Sequence, residues 1–95
     1  MPDFIYGSFE WDINKNEANK LKHGISFEYA VGIFVSVVLE KTVFHYTGEE
    51  RVVAVGKVEG RVITVIYTWR GLNRRIISAR KPHTDEVRNY AKWNV

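Results

Sequence analysis

From Val37 onward β-branched side chains dominate, in short apolar stretches separated by Gly-containing turns. The pattern predicts strands near 37–45, 51–58, 61–69 and 73–80. The pair Glu59-Gly60 is a compact hairpin signal between the second and third, and Gly71 marks the next turn. Before Val37 the spacing is helical. Asp12 or Asn14 can cap a short helix over 14–24, with Ile13, Ala18 and Leu21 near one face and Gly24 as a left-handed exit. Lys22 and His23 occupy its last turn, where cations suit the helix dipole. Ser26 can cap a second helix whose buried stripe is Phe27, Ala30, Val31 and Phe34, with Ile25 stapled onto Ala30. Pro82, followed by Val87, Tyr90 and Ala91, predicts a last helix near 83–93. The expected fold is therefore α+β: two short N-terminal helices, an antiparallel β-meander of about four strands and a C-terminal helix, with the helices on one face.

Strand parity divides the sheet residues. With Glu59-Gly60 as a two-residue loop, Val58 pairs with Arg61 and Val52 with Tyr67. One face then holds Val52, Ala54, Val58, Ile63, Val65, Tyr67 and Trp69, the natural core face. The other holds Arg51, Val53, Val55, Lys57, Thr64, Ile66, Thr68 and Arg70, mixed and basic at its edges. With Gly71-Leu72 as the next loop, Arg75 joins the basic face and Arg80 points to the helical side; a loop longer by one residue swaps them.

With 95 residues there is room for one domain spanning 1–95, and 45% hydrophobic residues are enough to build its core. The absence of cysteine excludes disulfides and thiolate metal sites. The start, "MPDFIYGSFEWD", lacks the basic and apolar segments of a secretion signal, and "VGIFVSVVLE" is too short to span a bilayer. A soluble, cytoplasmic protein is expected. The net charge of +3 gains meaning from its distribution: residues 51–81 carry Arg51, Lys57, Arg61, Arg70, Arg74, Arg75, Arg80 and Lys81 against only Glu59. Arg offers a planar fork that suits phosphate and stacks on bases, so a nucleic-acid partner is expected.

The chemistry such a surface can perform on RNA follows from the substrate. RNA carries its own nucleophile, the 2′-hydroxyl, so cleavage needs no protein nucleophile and no metal. It needs alignment, a proton acceptor, stabilisation of negative charge at phosphorus and a proton for the leaving oxygen. Guanidiniums suit the charge stabilisation. His23 can act as acid or base if the helix end faces the sheet edge; failing a histidine, Arg, Lys or Tyr67 must move the proton. Lys22, Lys57, Arg61 and Arg74 are candidates for binding the RNA backbone. The three histidines lack the spacing of a zinc site, and no carboxylates cluster as for magnesium, so no metal or cofactor is expected. Glu49 and Glu50 read as local charge partners of Arg51, and Glu86 and Tyr90 as helix-stabilising and packing residues.

"FEWD" at 9–12, "KHGISFEYA" at 22–30, "EER" at 49–51, "VGKVEGRVITVIYTWRG" at 55–71 and "RIISARK" at 75–81, followed by Glu86 and Tyr90, together resemble the BrnT toxins, RelE-like toxins of bacterial type II toxin–antitoxin systems. Arg70 in "YTWRG" and Arg80 in "ISARK" fall in the most recognisable of these motifs, which makes them the first candidates for charge stabilisation, with Arg75 the third. The resemblance implies a RelE-like fold and a ribonuclease that arrests translation. It also implies a BrnA-like antitoxin with a ribbon-helix-helix DNA-binding portion. Two toxins would bind an antitoxin dimer, and the complex would repress its own operon by binding operator DNA. The residues alone also allow a non-catalytic nucleic-acid-binding module or a domain whose sheet only docks a protein.

Overall fold

The computed structural model describes residues 2–93; Met1, Asn94 and Val95, the ends of the expected 1–95 domain, lie outside the described residues. Six strands form one mixed sheet in the order β1-β2-β6-β5-β4-β3. They are β1 (Asp3–Tyr6), β2 (Phe9–Asp12), β3 (Leu39–Phe44), β4 (Glu50–Val58), β5 (Arg61–Arg70) and β6 (Asn73–Arg80). The helices are α1 (Ile13–His23), α2 (Phe27–Ala30), which tightens into a 3-10 turn over Val31–Val35, and α3 (Thr84–Trp93).

The expected meander is present: Val58 faces Arg61 and Val52 faces Tyr67. Positive φ at Glu59 (51°) and Gly60 (79°) makes the type I′ turn that matches strand twist. The caps are also where expected. Asp12 accepts from the Asn14 and Lys15 amides at 2.8 and 3.1 Å, and the Ser26 hydroxyl accepts from the Tyr29 amide at 3.1 Å. Ile25, Phe27, Ala30 and Ile33 pack with Ile63, Val65 and Tyr67 to fill the core on the inner face of the sheet. The 3-10 turn approaches so closely that a Cβ on Gly56 would sit 2.8 Å from the Cβ of Ile33.

The sheet departs from the expectation in two ways. The segment before α1 adds a β-hairpin, β1–β2, and β2 joins β6 in parallel, with Phe9 beside Arg74 and Glu10 beside Arg75. The sheet is therefore six-stranded and mixed, not a four-stranded antiparallel meander. In addition, α3 lies on the outer face, where Glu86 meets Thr64 and Arg80, so the helices do not share one face.

Helix α1 reverses its expected orientation. Leu21 is 90% exposed and Ile13 is also exposed, whereas Asn16 and Asn19 are buried. The reason is the half of β6 that β2 does not reach. There the Asn19 amide donates to the Ala79 carbonyl at 2.8 Å and accepts from its N–H at 3.2 Å, and it also donates to the Ile25 carbonyl at 2.9 Å. Asn16 accepts from the Phe27 amide and donates to Glu28. Buried backbone groups must be paired, and here side-chain amides pair them. The helix docks by hydrogen bonding, which a hydrophobic stripe does not anticipate.

Candidate functional site

The β5–β6 hairpin builds the site. Its loop is Gly71-Leu72, as one of the two considered registers requires, so Arg70 faces Asn73 and Thr68 faces Arg75. Both arginines thus stand on the outer face. An irregularity then intervenes: Tyr67 pairs with Ile76 but Ile66 with Ser78, leaving Ile77 as an extra residue. One inserted residue reverses the alternation beyond it. Arg80, expected on the helical side, is therefore opposite Thr64 on the outer face with Arg70 and Arg75.

Parallel pairing of β2 brings Glu10 beside Arg75. The Arg75 guanidinium donates to Glu10 Oε2 at 2.7 Å and to Asp3 Oδ1 at 2.9 Å. Arg70 Nη1 stands 3.5 Å from Glu10 Oε2 and 3.7 Å from Asp3 Oδ2. The pair of guanidiniums floors a groove of about 400 Å³, whose walls also include Lys15, Arg51, Thr68 and Ile77. A second groove of about 320 Å³ shares Lys15 and Ile77 and adds Lys22, His23 and Ser78. Together they form a track between α1 and the outer edge of β6.

Charge pairing sets the protonation states. The hydrogen bond from Arg75 holds the Asp3 carboxyl below its usual range, and the same bond raises Arg75. Arg51 likewise lowers Glu49, with a 2.9 Å contact. Burial pushes the Glu86 carboxyl up. Donation from both Arg80 nitrogens, the His83 amide and the Thr64 hydroxyl more than offsets this and brings it down to about 2.

Arg70 and Arg75 are thus brought together, and Lys22 and His23 line the adjoining groove. The remaining candidates are dispersed. Arg61 is at the far end of β5 from Arg70; nine steps of roughly 3.3 Å separate them by about 30 Å. Lys57 is beside that far end. Arg74 points to the inner face, among Phe9, Phe34, Tyr67 and Trp69. Arg80 is four steps of β5 beyond Arg75, about 13 Å away, with Glu86 occupying its fork. Tyr67 is buried on the inner face and donates to Glu40 at 2.6 Å. Burial first, then that bond, raise its pKa. Sequence reasoning missed Asp3, Glu10 and Lys15, and left Arg51 out of the site. The alternation of Phe9, Glu10, Trp11 and Asp12 was the available signal, a strand with an acidic face.

A family model described as the ribonuclease toxin BrnT of type II toxin–antitoxin systems matches residues 11–86. The chain belongs to the BrnT toxin family. The match runs from Trp11 in β2 to Glu86 in α3, so it contains Arg70, Arg75, Lys22 and His23 but neither Asp3 nor Glu10. No curated protein and no solved structure matches the chain. Membership in the BrnT family makes this a ribonuclease toxin with an RNA substrate and a protein antitoxin as partner. Among the described residues, no helix is long and apolar enough to cross a membrane.

Proposed function

We propose that this BrnT toxin is a metal-independent endoribonuclease that cleaves RNA in the track between α1 and β6 through attack of the substrate's own 2′-hydroxyl. The observation that carries the reading is the Arg70–Arg75 pair on the floor of a groove continuous with Lys22 and His23. In the step, the 2′-oxygen bonds to phosphorus while the bond to the 5′-oxygen breaks. A base takes the proton of the 2′-hydroxyl and an acid returns one to the 5′-oxygen. Arg70 and Arg75 stabilise the charge that develops on the phosphoryl oxygens. His23 is assigned the proton transfer, and Lys15, Lys22 and Arg51 hold flanking phosphates. Arg80 contributes to this site only by releasing Glu86; its first role is to hold α3 on the sheet. Lys57, Arg61 and Arg74 lie off the track and are not assigned to the substrate.

Such cleavage in the cytoplasm would arrest translation. The partner is assigned as a BrnA-like antitoxin with a ribbon-helix-helix portion, in a complex of two toxins with an antitoxin dimer that binds operator DNA.

The test uses toxin freed of antitoxin, a defined RNA, excess EDTA and the Arg70→Ala variant alongside wild type. A 2′,3′-cyclic phosphate product made by wild type and lost in the variant is the expected result. RNA left intact by wild type would remove ribosome-free, metal-independent cleavage. Binding without any product would instead favour the nucleic-acid-binding module, which uses the same cations.

A further inference from the structure

The Arg70–Arg75 pair faces two carboxylates, so this part of the groove floor is close to neutral before substrate arrives. A phosphate anion entering such a cluster gains little unless one carboxylate yields. The two carboxylates are not equivalent. Glu10 is 6% exposed and sits in β2, between β1 and β6. Its Oε2 reaches both guanidiniums, and its Oε1 accepts from the Asn73 amide at 3.2 Å. Displacing it would leave a buried charge without partners, a large penalty. Asp3 belongs to the edge strand β1, whose four residues are all exposed and which pairs with β2 alone. Its side chain is 38% exposed. One oxygen addresses Arg75 and the other Arg70, the two-oxygen arrangement that a phosphate also offers to guanidinium forks.

We propose that these carboxylates have opposite roles: Glu10 is a positioning residue that fixes both guanidiniums, and Asp3 occupies the place a substrate phosphate takes, leaving when RNA binds. The inference rests on the reading of Arg70 and Arg75 as the phosphate-binding pair. It concerns residues that lie ahead of the family-matched segment.

The test compares wild type, Asp3→Asn, Glu10→Gln and Arg70→Ala in steady-state cleavage of a defined RNA in EDTA, with thermal melts to verify folding. Asp3→Asn removes a charged competitor from an exposed site and lowers KM about three- to five-fold. Glu10→Gln loosens the arginines and lowers kcat at least about ten-fold. Two substitutions of purely structural residues would not split this way. Asp3→Asn with an unchanged or higher KM, or Glu10→Gln with wild-type kcat, overturns the proposal. Affinity for an oligonucleotide blocked by a 2′-deoxy substitution gives a readout independent of catalysis: Asp3→Asn must bind more tightly, and weaker or equal binding overturns the competitor role. If Arg70→Ala cleaves and binds like wild type, the underlying reading of the arginine pair fails instead.

Discussion

Arg74 and Arg75 are consecutive in the chain and lie in two opposite worlds. Arg75 faces outward into the groove, and Asp3 and Glu10 hold its fork. Arg74 faces inward, with its guanidinium carbon 4.6 Å from the Phe34 ring centre, 4.7 Å from Trp69 and 5.3 Å from Tyr67. Among the described residues no carboxylate forms an ion pair with it, and its Nε is buried without a partner. Guanidinium tolerates both settings because it is weakly hydrated and planar: it forks onto carboxylate or phosphate, and it stacks on aromatic faces. Positive charge on a sheet is therefore no measure of a binding site. The side of the strand decides whether an arginine is available to a ligand or part of the packing.

The largest effect that would break this contrast is on activity. Arg70→Ala, on the wet face and with no buried partner that depends on it alone, should lower cleavage by about 10²–10³-fold, the cost of losing one transition-state donor, while its melting temperature stays near wild type. Wild-type cleavage by this variant would strip the outer face of its assigned role. Arg74→Ala should do the reverse. Loss of the desolvated cation–π contacts costs about 2 kcal/mol of stability in denaturant unfolding, with cleavage per folded molecule retained. A cleavage defect with normal stability would move Arg74 to the substrate.

Acid titration sharpens the contrast on the outer face. Glu86 is held at about 2 against an ordinary 4.5. Its folded pKa is depressed, so its contribution to stability is complete above pH 4.5 and is lost as the pH falls towards 2. That contribution is on the order of 1–2 kcal/mol once solvent screening is allowed for, and Glu86→Gln should flatten the acid limb of the stability curve. An unchanged limb in that variant would mean that the Arg80–Glu86 pair does not hold α3. The smallest effect is expected of Tyr67→Phe. Removing the hydroxyl bonded to Glu40 should cost about 1 kcal/mol, and cleavage should persist, because Tyr67 is on the dry face. Loss of cleavage with intact folding would reinstate it as a proton donor.

Much of this was legible in the sequence, because it is written in residues close together in the chain. Glu59-Gly60 set the β4–β5 register through the twist of a two-residue turn. Asp12, Ser26 and Gly24 marked helix ends because each satisfies or relaxes a nearby backbone group. Strand parity identified Val52, Ala54, Ile63, Val65 and Tyr67 as core residues, but Trp69 of the same face is 49% exposed and Val55 and Thr64 of the other face are buried. Local motifs also carried the family resemblance. What the sequence left open depends on partners that are distant or on a single residue's displacement. Glu10 meets Arg75 across 65 positions, and a four-residue strand gives little warning of a parallel partner that far away. The extra Ile77 turns Arg80 to the outer face, although an alternating pattern reads equally well with or without one inserted residue. Asn19 of α1 answers to unpaired backbone on β6, which exists only because β2 stops short of that half of the strand, and Asn16 to the Phe27 amide. The sequence by itself determined the β4–β5 hairpin, the caps and the supply of arginines. Tertiary structure alone decided which arginines share a face and which carboxylates meet them, because parity and burial are fixed by pairing between strands rather than by any one strand.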